Sequence, residues 1–311
     1  MRLSVGITGH RETNVAYRDN VLGIEAALGA IFTALDCDTP HEIKPRLHAL
    51  LSLGADLLAV KIALQKGWQV AAPLPFGKAL NTAINSQPQT IADARAVMNG
   101  LTPSNPEIAE NAARISEIAS RVTCFELAER DASMAEMFLD SLQDPVSHDA
   151  VHAYSVAASD RAALAGQVMI DHIDLLVAVW DGHSPGPVGG TKHTITRALE
   201  MGMQVLWIDA SSPSDWRLLD APESLASRLE LPIVNDVEAL QQLCAEILSS
   251  DKGNTGSFIV DQQPPPSKSR KRFHAYRRIE AIFGDGFLGA IRSLVQRYVN
   301  EDAFVAHDAA S

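Results

Sequence analysis

Residues 180–202, WDGHSPGPVGGTKHTITRALEMG, join a polar, glycine-rich turn to the start of an apolar helix. An apolar run precedes Asp181 and helical spacing begins at Thr191, so this turn connects a strand to a helix N-terminus. Such a terminus offers unpaired backbone N–H groups and the positive end of the helix dipole, which together attract phosphate. Gly189 and Gly190 have no Cβ atoms, so an anion can approach their backbone closely. The sequence therefore predicts an anion-binding loop, although the same residues could form a simple connector.

Two further loops of small and polar residues follow predicted strands, TGHR at residues 8–11 and SLGAD at residues 52–56. Loops that follow parallel strands emerge at the same edge of the sheet, where ligands of open α/β folds bind. We therefore expect all three loops to meet around one ligand, with Thr191 supplying a hydroxyl and Lys192 a positive charge. The residues predicted to bind the ligand are Thr8, Gly9, His10, Arg11, Ser52, Gly54, Asp56, Asp181, Gly189, Gly190, Thr191 and Lys192.

Several of these polar residues also have a structural interpretation. His10 could bind the ligand or cap the first helix, and Asp56 could contact the ligand or cap the helix that follows its loop. Asp181 could contact a ribose hydroxyl or simply form the turn. His183 and His193 flank the glycine loop, but a metal site would need a third ligand that the sequence does not place. No metal is therefore predicted, and no cofactor is required.

Alternating strands and helices must position these loops. Apolar runs predict strands over residues 2–7, 47–53, 68–74, 121–125, 174–180, 204–208 and 231–234. Apolar residues three or four apart predict helices over residues 18–35, 55–66, 90–98, 148–170, 191–201 and, after a cap at Asp236, through about residue 248, with residues 126–140 as loop or helix. This order predicts a doubly wound, Rossmann-like α/β fold, a parallel sheet with helices on both faces.

Composition describes a soluble globular protein. The chain has 311 residues, of which 46% are hydrophobic, and residues 1–250 are predicted to form one binding domain. The sequence contains no run of about 18 apolar residues, so no membrane span is predicted. The cysteines Cys37, Cys124 and Cys244 form no metal motif and no disulfide set, which favours the cytoplasm. The net charge of −12 argues against a nucleic-acid-binding surface.

The C-terminal part differs from the rest of the chain. Residues 251–272 contain GNTGS and QQPPPSKSRKR, which are typical of a flexible linker, and residues 273–311 are predicted to form a basic helical tail. Between Lys268 and Tyr298 eight Lys or Arg residues accompany only two acidic ones. Such a tail either is simply solvated or approaches a membrane surface or an acidic partner. A homo-oligomer is compatible with the sequence.

Three stretches together resemble the SLOG superfamily: GITGHRE, SLGADLLAVKIALQKGWQVAAPLPF, and DLLVAVWDG followed by GGTKHTITRALEMGMQVLWID. The resemblance covers residues 1 to about 210 and is to the bacterial branch that carries a TGHR motif. Members of this superfamily are Rossmann-like domains related to the LOG phosphoribohydrolases and to the DNA-processing protein DprA. The resemblance implies a module that senses a nucleotide or nucleotide-derived ligand, in a bacterial stress or defence system.

The LOG enzymes carry the motif PGGxGTxxE, whose glutamate takes part in cleaving an N-glycosidic bond. Aligned on GPVGGTKHT, the Gly-Gly-Thr is kept, but the glutamate position falls on Thr194. The LOG enzymes also carry an arginine one helix earlier. Its position would fall near residues 165–166, about one turn from Arg161. Threonine has no carboxylate for acid/base work, so the resemblance implies binding rather than LOG-type hydrolysis. The alternative is a nucleosidase or phosphoribohydrolase that uses Asp181 or Glu12 instead, and the catalytic residues are left unassigned.

Overall fold

The computed structural model describes residues 2–36, 44–183, 188–234 and 237–250. The strands are β1 (Ser4–Gly9), β2 (Arg46–His48), β3 (Gln69–Leu74), β4 (Thr123–Glu126), β5 (Leu175–Trp180), β6 (Val205–Asp209) and β7 (Trp216–Leu219). The helices are α1 (Val15–Asp19), α2 (Val21–Leu35), α3 (Ala55–Gln65), α4 (Lys78–Asn85), α5 (Ile91–Met98), α6 (Pro106–Arg121), α7 (Asp131–Gln143), α8 (His148–Ile170), α9 (Thr191–Glu200) and α10 (Val237–Ser250). A 3₁₀ helix covers Pro222–Leu225.

These strands form one sheet in the order β4-β3-β2-β1-β5-β6-β7. Every neighbouring pair is parallel except β6 and β7, which are antiparallel. The chain adds β2, β3 and β4 on one side of β1 and then returns to add β5 on the other side, with Ile7 paired to Val177. The strand order therefore reverses between β1 and β5. The doubly wound, Rossmann-like prediction is confirmed for the described residues.

The central strand β5 explains why the sequence around it is almost entirely apolar. Leu175, Val177 and Val179 face the hydrophobic cluster that contains α2 and α3. The alternate residues, Leu176 and Trp180 among them, face a second cluster that contains α9 and the end of α8. A parallel strand covered on both faces has no polar side, so its side chains cannot alternate in polarity.

A third hydrophobic cluster belongs to the helices that surround the edge of the sheet at β3 and β4. Phe76, Leu80, Val97, Ile108 and Phe138 bring together the end of β3 with α4, α5, α6 and α7. In this region the apolar spacing predicted only α5, and residues 126–140, which include most of α7, as loop or helix. Helix α6 carries a signal that could have been used, since Asn105 accepts a bond from Glu107 N–H and Pro106 occupies the first turn.

Two strand predictions were wrong. Residues 231–234 form no strand, and the last strand within the described residues is β7, antiparallel to β6. Val234 contributes only an N–H that donates to Trp216 O at 2.6 Å. The predicted strand 47–53 is only β2, because Leu51 has a φ of 61° and turns the chain. The remaining residues of the predicted strand, 49–53, are buried or half-buried because they form a packed loop. An apolar run alone does not distinguish such a loop from a strand.

Among the described residues no helix is both long and apolar enough to cross a membrane. The predicted linker at 251–272 and the predicted tail at 273–311 lie outside the described residues.

Candidate functional site

The loops after β1 and β2 meet at the carboxyl edge of the sheet. Ala55 N–H donates to His10 O at 3.1 Å, and Glu12 N–H donates to Leu53 O at 3.3 Å. Gly54 has a φ of 124°, and a Cβ there would lie 2.4 Å from His10 O. This close approach of two backbones requires glycine, because any side chain would separate the loops.

His10 connects the end of β1 to the end of β5. Its Nε2 accepts a hydrogen bond from the backbone N–H of Asp181 at 2.9 Å and lies 3.2 Å from Asp181 Oδ2. The alternative that His10 caps the first helix is wrong, since Asn14 is the cap of α1 and accepts from Tyr17 N–H at 3.1 Å. The structure therefore brings His10 and Asp181 together, as the convergence of these loops predicts.

Asp56 stabilises its own loop. The buried carboxylate accepts bonds from Ser52 Oγ at 2.9 Å and Ser52 N–H at 3.3 Å, across the turn made by Leu51. The alternative that Asp56 caps α3 is wrong, because Gly54 occupies the cap position and the Asp56 carboxylate, in the first turn, binds Ser52 instead. Burial raises the pKa of Asp56 to about 6, opposed by its bonds from Ser52 and by the positive charge of Arg11.

The other two carboxylates of this edge are also engaged. Glu12 binds Arg114 of α6 through two bonds of 2.6 and 3.2 Å. Asp181 Oδ1 accepts from His183 N–H at 2.9 Å, so Asp181 forms the turn, as one of its two alternatives predicted. Its Oδ2 faces His10 and Asn14. Glu12, Asp56 and Asp181 therefore each have a partner within the chain.

The glycine loop closes against α8 before α9 begins. Gly189 has a φ of 78°, and a Cβ there would lie 2.6 Å from Ser159 O and 2.7 Å from Ala163 N. Gly190 is the cap residue of α9 with a φ of −78°, and α9 has no side-chain cap. The N–H groups of residues 191–193 and the hydroxyl of Thr191 have no hydrogen-bond partner among the described residues. The first turn of α9 is thus open to an acceptor.

Arg11 and Lys192 supply the positive charge. Both side chains are exposed, and neither forms a hydrogen bond or an ion pair within the described part of the chain. Burial raises the pKa of Tyr154 on α8 to about 12, and the positive charge of Arg11 opposes this rise, as it does at Asp56. The Arg11 guanidinium therefore lies within electrostatic range of both α3 and α8.

Thr8 and Gly9 end β1, opposite Ala178 and Val179 of β5. A Cβ at Gly9 would lie 2.5 Å from Ala55 Cβ and 2.9 Å from Val179 Cβ. The absence of a side chain at Gly9 therefore lets α3 approach the two central strands. Thr8 is half-buried at the same edge.

Thr194, at the position of the LOG glutamate, and Arg161, about one turn from the position of the LOG arginine, are both buried. Thr194 is buried, and its Oγ1 donates to Gly190 O at 3.2 Å. Arg161 is buried and donates to Pro75 O at 3.2 Å, to Glu129 Oε1 at 2.7 Å and to Leu127 O. It therefore joins α8 to the loops after β3 and β4.

Two residues of this edge were missed by the sequence analysis. Asn14 carries a usable signal, since an Asn three residues before Tyr17 at a helix start is a typical cap. Arg114 carries none, because it lies 102 residues from Glu12. His183 is exposed and His193 half-buried, and no group of His, Cys, Asp or Glu among the described residues could hold a metal ion.

Comparisons of the chain with protein-family models and with curated proteins found no match. The fold and the site define an α/β protein of the Rossmann-like type with a polar strand-end edge at the point where the strand order reverses.

Proposed function

We propose that this edge binds the phosphate group of a nucleotide or nucleotide-derived molecule, and that the chain acts as a ligand-sensing module. One observation carries the proposal. The donors at the edge (Arg11, Thr191, Lys192 and the first N–H groups of α9) have no partners among the described residues, whereas Glu12, Asp56 and Asp181 do.

An anion fits this distribution better than a cation does. The open N–H groups of α9 carry the positive end of the helix dipole, and two unpaired cations add to it. A cation would have to displace the internal partners of the carboxylates, at a cost in hydrogen bonds. The location between β1 and β5 also supports the proposal, since ligands of doubly wound sheets bind where the strand order reverses.

The geometry supports binding more than hydrolysis. A general acid must reach the substrate, but Asp56, the carboxyl with a pKa raised to about 6, is 5% exposed and bonded to Ser52. Glu12 and Asp181 are engaged with Arg114 and His10. A nucleosidase with an unusual carboxylate is therefore the competing function, and membership of the SLOG superfamily is part of the proposal.

The test is to incubate the protein with AMP, NAD, ADP-ribose and cyclic nucleotides, and to record the thermal shift and the chromatogram of products together. Stabilisation without turnover supports the sensor. Release of free base would instead support the enzyme. No stabilisation by any of these nucleotides or by inorganic phosphate would contradict the proposal.

Two variants test the site itself. Arg11→Gln and Thr191→Ala should each weaken binding of the nucleotide found, by about 1–3 kcal/mol for a bond to a charged acceptor. Arg121→Gln is the matched control, because Arg121 is an exposed cation just before β4, at the opposite edge of the sheet. Equal losses in Arg11→Gln and Arg121→Gln would indicate a general effect of charge.

A further inference from the structure

Arg228, just after the 3₁₀ helix, reaches the loop that follows β5. Its Nη2 donates to Gly182 O at 2.5 Å and its Nη1 to Leu225 O at 2.9 Å. The same guanidinium lies over the rings of Trp180 and Trp207, 5.3 and 5.8 Å from their centroids. A planar cation between aromatic faces and carbonyl oxygens is held in one orientation.

The two tryptophans on which Arg228 rests are buried and joined by a hydrogen bond. Trp180 and Trp207 are 2% and 0% exposed, and Trp207 Nε1 donates to Trp180 O at 2.7 Å. Gly182 has a φ of 77°, and a Cβ there would lie 2.7 Å from Arg228 Nε, so only glycine leaves room for the guanidinium at this position. The loop conformation at Gly182 and the position of Arg228 therefore depend on one another.

Gly182 begins the loop that ends at the N-terminus of α9. The far end of this loop is fixed by Gly189 against α8, and Asp181, just before Gly182, is fixed by His10. Arg228 supplies the contact that fixes the near end at Gly182. We infer that Arg228 is a positioning residue for the proposed anion site: it holds Gly182, the residue after Asp181, in place at the end of β5 where that site lies. This inference rests on the proposed function.

Arg217 provides a matched comparison. It also lies over the Trp207 ring, at 5.6 Å, and it also donates to a backbone carbonyl, Leu231 O, at 3.2 Å. Among the described residues no bond joins its side chain to the loop after β5. Arg217→Lys therefore changes a stacked guanidinium in the same way as Arg228→Lys, without removing a contact to Gly182.

The experiment compares wild type, Arg228→Lys and Arg217→Lys by amide hydrogen exchange and by titration with inorganic phosphate and with AMP. Lysine keeps the charge but loses the planar fork, so a purely electrostatic role predicts no change. We expect Arg228→Lys to accelerate exchange at residues 182–183 and 188–191 and to raise the Kd by about 2- to 30-fold. Arg217→Lys should leave both unchanged.

Wild-type exchange and wild-type affinity in Arg228→Lys would overturn the inference, as would the same faster loop exchange in Arg217→Lys. Failure of the wild-type protein to bind either probe would contradict the proposed function, and with it the role of Arg228 in binding. The exchange data would still decide whether Arg228 holds the loop.

Discussion

The side chain of His10 and the backbone of Asp181 are joined by a hydrogen bond of 2.9 Å, from the Asp181 N–H to Nε2. This bond connects the ends of β1 and β5, the two strands between which the order of the sheet reverses. The side chain of His10 is buried (the residue is 8% exposed), and the backbone N–H of His10 donates to Val179 O at 3.0 Å. The first and third loops of the edge are therefore coupled through one buried imidazole.

His10→Ala should destabilise the protein by about 1–3 kcal/mol, because the Asp181 N–H loses its acceptor and the ring leaves a gap. Urea unfolding measures the change. His183→Ala is the control: His183 is exposed, and its bond to Asp181 comes from the backbone. Similar unfolding midpoints for the two variants would show that the imidazole does not connect the strands.

Gly189 and Gly190 should respond in opposite ways to serine. Gly189→Ser should cost about 1–3 kcal/mol, since its φ is 78° and α8 leaves no room for a Cβ. Gly190→Ser should stabilise the protein by a few tenths of a kcal/mol, because φ is −78° and serine is a better cap than glycine.

The same Gly190→Ser variant should bind the nucleotide more weakly, because its hydroxyl accepts from the N–H groups that the phosphate would use. Unfolding curves and nucleotide titrations on the two variants measure these effects. Undiminished affinity in a stabilised Gly190→Ser variant would show that the ligand does not use the first turn of α9.

The buried carboxyl of Asp56 should make stability depend on pH. Its pKa in the folded protein is raised to about 6 from an ordinary value of 3.8, so folding favours the protonated form. The stabilisation is complete below about pH 4 and is lost as pH rises through about 6, amounting to about 3 kcal/mol.

Asp56→Asn removes this ionisation. The difference in unfolding free energy between wild type and variant, measured from pH 4 to pH 7.5, should therefore change by about that amount in favour of the variant. A constant difference across this range would contradict a raised pKa at Asp56. Asp160→Asn serves as the control because Asp160 is exposed on α8.

The central strands could be predicted because burial on both faces leaves a continuous apolar run, as at β5. The same reasoning failed at Leu51, where an apolar residue is buried by a loop with positive φ. Hydropathy reports that a residue is buried and does not report its backbone conformation.

The candidate site was predictable to the level of its loops. The sequence indicated loops of small residues at Gly9, Gly54 and Gly189, but not that the neighbours of these glycines are α3, the backbone of His10 and α8. Those neighbours are fixed by tertiary packing. The contact of Arg228 with Gly182 spans 46 residues and has no local pattern at all.

Thr194→Glu places a carboxylate at the position that the LOG motif assigns to its glutamate, and we expect it to destabilise the protein rather than to create a hydrolase. Thr194 is 6% exposed, and a Cβ at Gly166 would lie only 3.6 Å from its Oγ1, so α8 packs close to this side chain. A longer, charged side chain there must be desolvated or must push the helices apart, at a cost of about 1–3 kcal/mol or more.

Thr194→Val is the matched control, because it keeps the volume and loses only the bond to Gly190 O, worth about 0.5–1.5 kcal/mol. Urea unfolding and chromatography of AMP incubations should be run on both variants. If Thr194→Glu were as stable as Thr194→Val and released adenine, the glutamate position would be accessible to substrate, and the site would need only this carboxylate to act as a hydrolase.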